Sequence, residues 1–172
     1  MTLREATTAD IPLIGALARR IWPVVYPGII TPAQIAYMLD LMYSDAALRD
    51  QLEHKGHRFL IADGEAGAAH GFAGFETGHS PKRARLHKLY VLPELKGTGV
   101  GHALLMGVLK AAAQAGDRTI ELNVNKYNPA TSFYTRHGFT VERDEVLDIG
   151  QGYVMDDHVM VRPIDPVQLG VA

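Results

Sequence analysis

Residues 96–101 read Lys-Gly-Thr-Gly-Val-Gly and separate an apolar segment that predicts a β-strand (85–92) from one that predicts a helix (99–115). Glycines at alternate positions remove side chains from the backbone, so successive N–H groups can face an anion. The helix that follows adds its own unpaired N–H groups and its positive dipole end. The stretch therefore predicts a pyrophosphate-binding loop, with Lys96 as a counter-charge.

Two other phosphate-binding motifs fit this loop poorly. A Walker loop continues with Gly-Lys-Ser or Gly-Lys-Thr, which does not follow here. A Rossmann fingerprint needs the spacing G-x-G-x-x-G, whereas position 102 is His. A glycine turn that merely joins a strand to a helix stays open as an alternative when the loop is considered alone.

Hydrophobic periodicity predicts further elements on both sides of the loop. A helix begins after Thr8 or Asp10 and ends at Trp22-Pro23. The order is β-α-α-α-β-β-β-α-β-α-β-β, with one strand–helix–strand crossover through residues 88–125, and this predicts a mixed sheet in an α/β or α+β fold. The other predicted strands are 3–6, 58–63, 69–76, 119–125, 139–147 and 153–162, and the other predicted helices are 31–42, 44–55 and 128–137.

Length and charge limit the class of protein. The chain has 172 residues, which predicts one domain, because domains have roughly 100–200 residues. Hydrophobic residues make up 47% and charged residues 21%, as in ordinary globular proteins. The net charge of −2 offers little to offset a phosphate backbone, so nucleic acid is not expected as a partner.

The chain has no cysteine, which excludes disulfides, thiolate metal sites and cysteine nucleophiles. Its longest apolar stretches, such as 103–106, fall far short of the ~20 residues of a membrane span. Residues 1–5 carry both charges and lack the apolar run of a secretory signal. These features predict a cytoplasmic protein with no membrane partner.

Two further segments carry a recognisable pattern. Residues 89–94 read Leu-Tyr-Val-Leu-Pro-Glu, and residues 128–139 read Asn-Pro-Ala-Thr-Ser-Phe-Tyr-Thr-Arg-His-Gly-Phe. Together with the loop 96–101, and in the same order and spacing, these segments resemble the GNAT superfamily of acyl-CoA-dependent N-acetyltransferases. The similarity covers about residues 58–162. The stretch 30–39 is similar to a bacterial subgroup that acetylates polyamines.

The resemblance implies the GNAT fold: a mixed, mostly antiparallel sheet flanked by helices, with a splayed central strand pair. Residues 1–172 would form a single acetyltransferase domain. Within it, 1–57 would hold the first strand and the helices of the acceptor side. Residues 58–162 would supply a hairpin, the acetyl-CoA-binding core and the closing strands.

The same resemblance implies acetyl-CoA as the co-substrate. Lys96 stands where Arg or Gln is usual, and Asn128 lies six residues before Tyr134 where many members have seven. Retained coenzyme binding is expected, because backbone groups do most of the holding. The expected cofactor-binding residues are Leu89, Tyr90, Val91, Lys96, Gly97, Thr98, Gly99, Val100, Gly101, His102, Asn128, Tyr134 and Arg136.

The reaction is the attack of an amine on a thioester, and it needs three groups. Tyr134 matches the family's tyrosine that protonates the leaving thiolate, and the backbone N–H of Val91 matches its oxyanion donor. His87 is the candidate base, because its ordinary pKa of about 6.5 suits proton transfer at cytoplasmic pH. Glu76, near the end of the preceding strand, is the alternative base.

Acceptor identity is less determined by the sequence. Tyr26 and Glu76 are the candidate substrate-binding residues, and a small primary amine or a polyamine is favoured as the acceptor. A protein N-terminus or lysine, a non-catalytic acyl-CoA sensor, and a nucleotide-dependent oxidoreductase stay open as alternatives. His54 and His57 lack a third ligand along the chain, so no metal is expected. A homodimer is left open beside a monomer.

Overall fold

The computed structural model describes residues 1–171; Ala172, the last residue of the predicted 1–172 domain, lies outside them. The described chain contains seven strands and five α-helices. The strands are β1 (Thr2–Glu5), β2 (Arg58–Asp63), β3 (Ala69–Ser80), β4 (Arg83–Val91), β5 (Thr119–Asn125), β6 (Thr140–Gly150) and β7 (Tyr153–Pro163). The helices are α1 (Ile11–Val25), α2 (Pro32–Tyr43), α3 (Asp45–Glu53), α4 (Val100–Gln114) and α5 (Ala130–Arg136).

All seven strands form one sheet in the order β1-β2-β3-β4-β5-β7-β6. Every neighbouring pair is antiparallel except β4 and β5, which are parallel and connected through α4. This confirms the predicted mixed, mostly antiparallel sheet with one crossover. Because a parallel pair needs such a crossover, the loop that begins α4 lies at the carboxyl end of β4.

Each face of the sheet carries its own apolar core. On one face, α4 buries Leu104, Leu105 and Val108 against sheet residues such as Phe75 and Leu122. On the other face, α1, α2 and α3 pack against β2 to β4. That second core includes Ile14, Ile21, Trp22, Met38, Leu48, Phe59 and Phe72.

The parallel pair β4–β5 is hydrogen-bonded only over its first half. Residues Arg83–Leu86 pair with Thr119–Leu122, and the pairing then ends. On its other side, β4 is paired with β3 up to Val91, with two irregularities. At one of them, Leu86 pairs with Phe75 and Lys88 with Gly74. His87 is therefore an extra bulged residue, and a bulge increases the local twist of a strand. The predicted splayed central pair is confirmed.

Helix α1 is longer than predicted, because it continues through Pro23 to Val25. Pro23 lacks an N–H and so removes only one hydrogen bond of the helix. The N–H of Tyr26 still donates to the carbonyl of Trp22 at 3.1 Å, so the last turn closes. The prediction that Trp22-Pro23 ends the helix was wrong. None of the helices within residues 1–171 is long and apolar enough to cross a membrane.

Candidate active site

A cavity of about 790 Å³ opens where β4 and β5 separate. Its walls come from the second half of β4 and the end of β5, from the glycine loop, from α5 and from the end of α1. Among the residues predicted for the site it is lined by Tyr26, His87, Leu89, Tyr90, Val91, Lys96, Gly97, Gly99, Gly101, His102, Asn128, Tyr134 and Arg136. Most of the predicted residues therefore meet in one cavity.

The glycine loop presents backbone N–H groups at the start of α4. Gly97 and Gly99 have φ of 84° and 92°, in the left-handed region that glycine tolerates best. A Cβ at either position would meet nothing within 4 Å, so the space in front of them is open. Within residues 1–171, the N–H groups of Gly97, Gly99 and the first helical turn have no backbone acceptor. These groups form an anion cradle at a helix N-terminus.

One residue of the predicted loop offers neither its N–H nor its side chain to this cradle, and a second offers no side chain. Both the N–H and the hydroxyl of Thr98 are bonded to the carbonyl of Leu95, at 3.2 and 2.7 Å. Val100 is buried in the core beneath α4, because it is the first residue of that helix's apolar face. Neither Thr98 nor Val100 lines the cavity.

The unpaired edge of β4 supplies a second set of backbone groups. The N–H of Leu92 donates to the carbonyl of His70 at 2.9 Å. Hydrogen bonding alternates along an antiparallel pair, so the N–H groups of Leu89 and Val91 point away from β3. They point into the gap, since β5 pairs no further than Leu86. The geometry is suited to an extended ligand that bonds to this edge, with Val91 N–H free to reach a carbonyl oxygen.

Tyr134 is positioned by α5 at the wall of the cavity. Its side chain is 8% exposed and packs edge-on against Phe133 and Phe139, with ring centroids 5.3 and 5.6 Å away. Burial raises the pKa of the phenol above its ordinary value. The hydroxyl therefore stays protonated at neutral pH and is available as a hydrogen-bond or proton donor.

The other predicted residues near α5 have structural partners of their own. The side-chain carbonyl of Asn128 accepts from the N–H of Ala130 at 2.9 Å and so begins α5. His102 lies 3.0 Å from His137, joined through Nδ1 and Nε2. Arg136 is exposed at the mouth of the cavity, where it can meet a phosphate without a competing ion pair among residues 1–171.

His87 and Glu76 are in direct contact, because the bulge turns His87 toward β3. The distance between His87 Nε2 and Glu76 Oε2 is 2.5 Å. Burial lowers the pKa of His87, and the positive charges of Lys88 and Arg85 lower it further. A neutral ring that donates Nε2–H to Glu76 keeps its lone pair on Nδ1. Glu76 itself does not line the cavity.

Tyr26 closes the acceptor side of the cavity. Its hydroxyl lies 2.8 Å from that of Tyr90, and its ring packs 4.4 Å from Trp22. Burial raises the pKa of Tyr26 to about 12. The residue therefore lines the cavity and also packs against the α1 core.

The sequence offers Asp40, Glu76, Asp156 and Asp157 as carboxylates for a cationic acceptor without showing which of them face the cavity, and the structure places Asp157 there. Asp157 is 2% exposed, lines the cavity, and pairs in register with Asn125. The amide of Asn123 donates to Glu145 at 2.8 Å and to Asp157 at 3.4 Å. Burial raises the pKa of Asp157. Polar residues alternate along β5 and indicate a polar face there. The register of β5 against β7, which places Asp157 beside Asn125, is not visible in the sequence.

One cavity thus combines backbone N–H groups at a helix N-terminus, an unpaired strand edge and a buried phenol. A family model described as "Acetyltransferase (GNAT) domain" matches residues 30–154. The chain belongs to this family of N-acetyltransferases, and the predicted resemblance is confirmed.

Related N-acetyltransferase sequences support the membership of this family. An uncharacterized N-acetyltransferase of Mycobacterium tuberculosis is 32% identical over 156 residues, which is 90% of this chain and 98% of the relative. A spermidine N(1)-acetyltransferase of Thermoplasma acidophilum is 26% identical over 90% of this chain and 94% of its own length.

Solved structures agree with the fold. The PaiA N-acetyltransferase of Thermoplasma acidophilum, in complex with coenzyme A, superimposes with a TM-score of 0.76 at 25% identity, over 95% of this chain and 99% of that one. A GCN5-related N-acetyltransferase from Rhodopseudomonas palustris, at 20% identity and covering 94% of each chain, gives 0.79.

Proposed function

We propose that the chain transfers an acetyl group from acetyl-CoA to a primary amine, with a small amine or a polyamine favoured as the acceptor. The observation that carries the proposal is the continuity of three features along one cavity. The anion cradle at Gly97–Gly101, the free edge of Leu89 and Val91, and the phenol of Tyr134 follow one another there.

The coenzyme would lie along this line. Its pyrophosphate would accept hydrogen bonds from the loop N–H groups and from the dipole end of α4. Its pantetheine arm would bond to the free edge of β4 like an added strand. The structure of a relative in complex with coenzyme A supports the same co-substrate here.

The thioester carbonyl would then meet the N–H of Val91. Attack by the amine turns this carbonyl oxygen into an anion, and a fixed backbone donor in a cavity stabilises that charge at no reorganisation cost. The carbon–sulfur bond breaks as the tetrahedral intermediate collapses. Tyr134, which its high pKa keeps protonated, would donate its proton to the departing thiolate and regain one from the nitrogen, which loses its extra proton as the amide forms.

The amine must lose a proton before it attacks, because an alkyl ammonium has a pKa of about 10.4. We assign this step to His87, through Nδ1 or a water bonded to it, with Glu76 as the positioning residue at 2.5 Å. The buried carboxylate of Asp157 and its neighbour Glu145 would attract a cationic acceptor to the opposite wall. The spermidine acetyltransferase among the relatives supports a polyamine.

An acceptor panel tests the proposal. Release of free thiol from acetyl-CoA is measured with spermidine, putrescine, aliphatic monoamines, and peptides that offer an α-amine or a lysine. Turnover with the small amines is expected, and a preference for the peptides would replace the acceptor class. Binding of acetyl-CoA with no turnover on any amine would make the chain an acyl-CoA sensor instead.

Two variants separate the roles of the acidic wall and the base. Asp157→Asn is expected to raise KM for spermidine more than it lowers kcat, because it removes charge that binds the acceptor in ground and transition states alike. His87→Gln is expected to lower kcat and to change its pH profile. Equal effects of both variants on kcat, with KM unchanged, would reject the assignment of Asp157 to acceptor binding and of His87 to proton transfer.

A further inference from the structure

Three imidazole rings converge on a single carboxylate oxygen between β2, β3 and β4. Oε2 of Glu76 lies 2.5 Å from Nε2 of His87, 3.1 Å from Nδ1 of His79 and 3.6 Å from Nε2 of His57. The four residues are separated by up to 30 positions in the chain and come together only because β3 pairs with β4 and His57 immediately precedes β2. The proposed reaction uses only two of them.

The second observation is the state of His57. Its side chain is 10% exposed, and its Nδ1 is buried without a hydrogen-bond partner among residues 1–171. Its ring stacks on that of His87 with centroids 4.1 Å apart and planes 13° apart. Its Nε2, at 3.6 Å, is too far from Glu76 for a hydrogen bond. A buried imidazole thus faces a carboxylate without bonding to it.

When the proton of His57 is on Nδ1, the lone pair of its Nε2 faces the same small space as Oε2 of Glu76. A divalent cation between the two atoms would accept a lone pair from each.

We propose that His57, Glu76 and His87 bind a divalent transition metal ion of the Zn²⁺ class, with His79 as the available fourth ligand. The three ligand atoms already lie within 4.8 Å of one another. Two or three imidazoles and one carboxylate suit Zn²⁺ and its neighbours, and not Ca²⁺ or Mg²⁺, which prefer oxygen ligands throughout.

Only small movements are required. Ligand atoms around tetrahedral Zn²⁺ lie about 3.3 Å apart, given bonds of about 2.0 Å. His57 and Glu76 are 3.6 Å apart, so they are close to that spacing, while His87 and Glu76 must separate from 2.5 Å. Regular pairing of β3 with β4 is lost between Glu76 and Ser80, which gives His79 room to adjust.

Nearby positive charges oppose the ion. Lys88 follows His87 directly, and Arg85 lies two residues before it. Glu76 supplies one negative charge against them. We therefore expect an affinity below that of structural zinc sites, suited to reversible occupation rather than to permanent binding.

The site has a consequence that rests on the proposed function. A metal ion on Nε2 of His87 leaves the proton of that ring on Nδ1, which removes the lone pair assigned to the base. Bound Zn²⁺ would therefore inhibit acetyl transfer, although the metal site itself does not depend on that assignment.

Binding is measured without acetyl-CoA, by calorimetry with zinc chloride alone and by the visible absorption of Co²⁺. One ion per chain is expected for the wild-type protein. His57→Ala and Glu76→Gln should each weaken binding by about tenfold or more. The matched control is His54→Ala, since His54 lies three residues from His57 but is exposed and pairs with Asp50; it should bind as the wild type does.

Absence of stoichiometric binding by the wild-type protein, or equal binding by all three variants, would overturn the metal site. Glu76→Gln keeps the test valid if His57→Ala fails to fold. Inhibition by Zn²⁺ that is lost in His57→Ala would support both proposals. Zn²⁺ bound with turnover unchanged would retain the metal site and reject His87 as the base.

Discussion

The two halves of β4 differ in what their free edge bonds to. In the first half, Arg83–Leu86, the edge pairs with β5 and the side chains of Arg83 and Arg85 both reach Glu121 at 3.0 Å. In the second half, the edge that faces β5 has no strand partner. One end of the strand therefore stabilises the sheet, and the other end, we propose, binds a ligand.

The charged side chains of the two halves also differ in whether they have a partner of opposite charge. The arginines of the first half have carboxylate partners. Lys88 in the second half is 7% exposed and donates to the side-chain carbonyl of Gln51 at 2.8 Å. Its other neighbours are the faces of Tyr43 and Phe59, 5.5 and 5.7 Å away. The second half of β4, which we call the open half, thus lacks a strand partner on this edge and a carboxylate partner for its lysine. Variants in both halves test this difference.

The largest effect is expected at Tyr134, which α5 places at the wall of the cavity that the open half of β4 lines. Tyr134→Phe removes the proposed proton donor and should lower turnover by about 10²-fold or more, as general-acid contributions do, while coenzyme affinity stays unchanged. Steady-state kinetics and calorimetry check this. Tyr127→Phe is the control, because Tyr127 is 74% exposed and does not line the cavity. Turnover retained in Tyr134→Phe would remove that residue from the mechanism.

Lys88 is expected to make stability depend on pH. Burial lowers its pKa from 10.5 to about 8. Between pH 8 and pH 10.5 the unfolded chain binds more protons than the folded one, so stability rises with pH in this window. The free energy of unfolding of the wild type, relative to Lys88→Met, should increase by about 3 kcal/mol across it. Urea unfolding of both proteins measures this, and parallel profiles would contradict the interpretation.

The paired half should respond in stability rather than in binding. Glu121→Gln leaves Arg83 and Arg85 without their shared, 7% exposed carboxylate and should cost about 2 kcal/mol, as lost charged hydrogen bonds do. Glu142→Gln is the matched control. Glu142 also contacts Arg83, but its side chain is 40% exposed, so a loss within about 0.5 kcal/mol is expected. A reduced coenzyme affinity in Glu121→Gln would contradict the assignment of the paired half to stability and of the open half to coenzyme binding.

The smallest effect concerns the anion cradle. Gly99 and Gly116 have similar backbone conformations, with φ of 92° and 86°, and an added Cβ meets nothing within 4 Å at either. Gly99→Ala and Gly116→Ala should therefore lose similar stability, of about 1 kcal/mol. Only Gly99→Ala should weaken coenzyme binding, by about tenfold. Equal affinities in calorimetry would argue against the loop as the pyrophosphate site.

Features written in short stretches of sequence could be predicted. The glycine loop, the strand before it and the helix 130–136 depend on local turns and caps, and each lies within a few residues of its predicted place. Features that depend on register could not. Asp157 reaches the cavity through the pairing of β5 with β7, and the bulge at His87 brings that ring to Glu76. No spacing along the chain reveals either contact.

The end of α1 shows another reason why the sequence alone does not predict the structure. Pro23 is a strong local signal for ending a helix, but the burial of Trp22, at 2% exposed, and the bond from Tyr26 keep the last turn in place. Tertiary packing overrode the local preference and moved Tyr26 onto the cavity wall.

Amide hydrogen exchange followed by NMR, with and without coenzyme A, tests most directly whether the open half of β4 holds the coenzyme. We expect new protection at the N–H groups of Leu89, Val91, Gly99 and Gly101, and no change at Arg83–Leu86, which already pairs with β5. Protection that appears elsewhere, or none at these four amides when the coenzyme is bound, would contradict it.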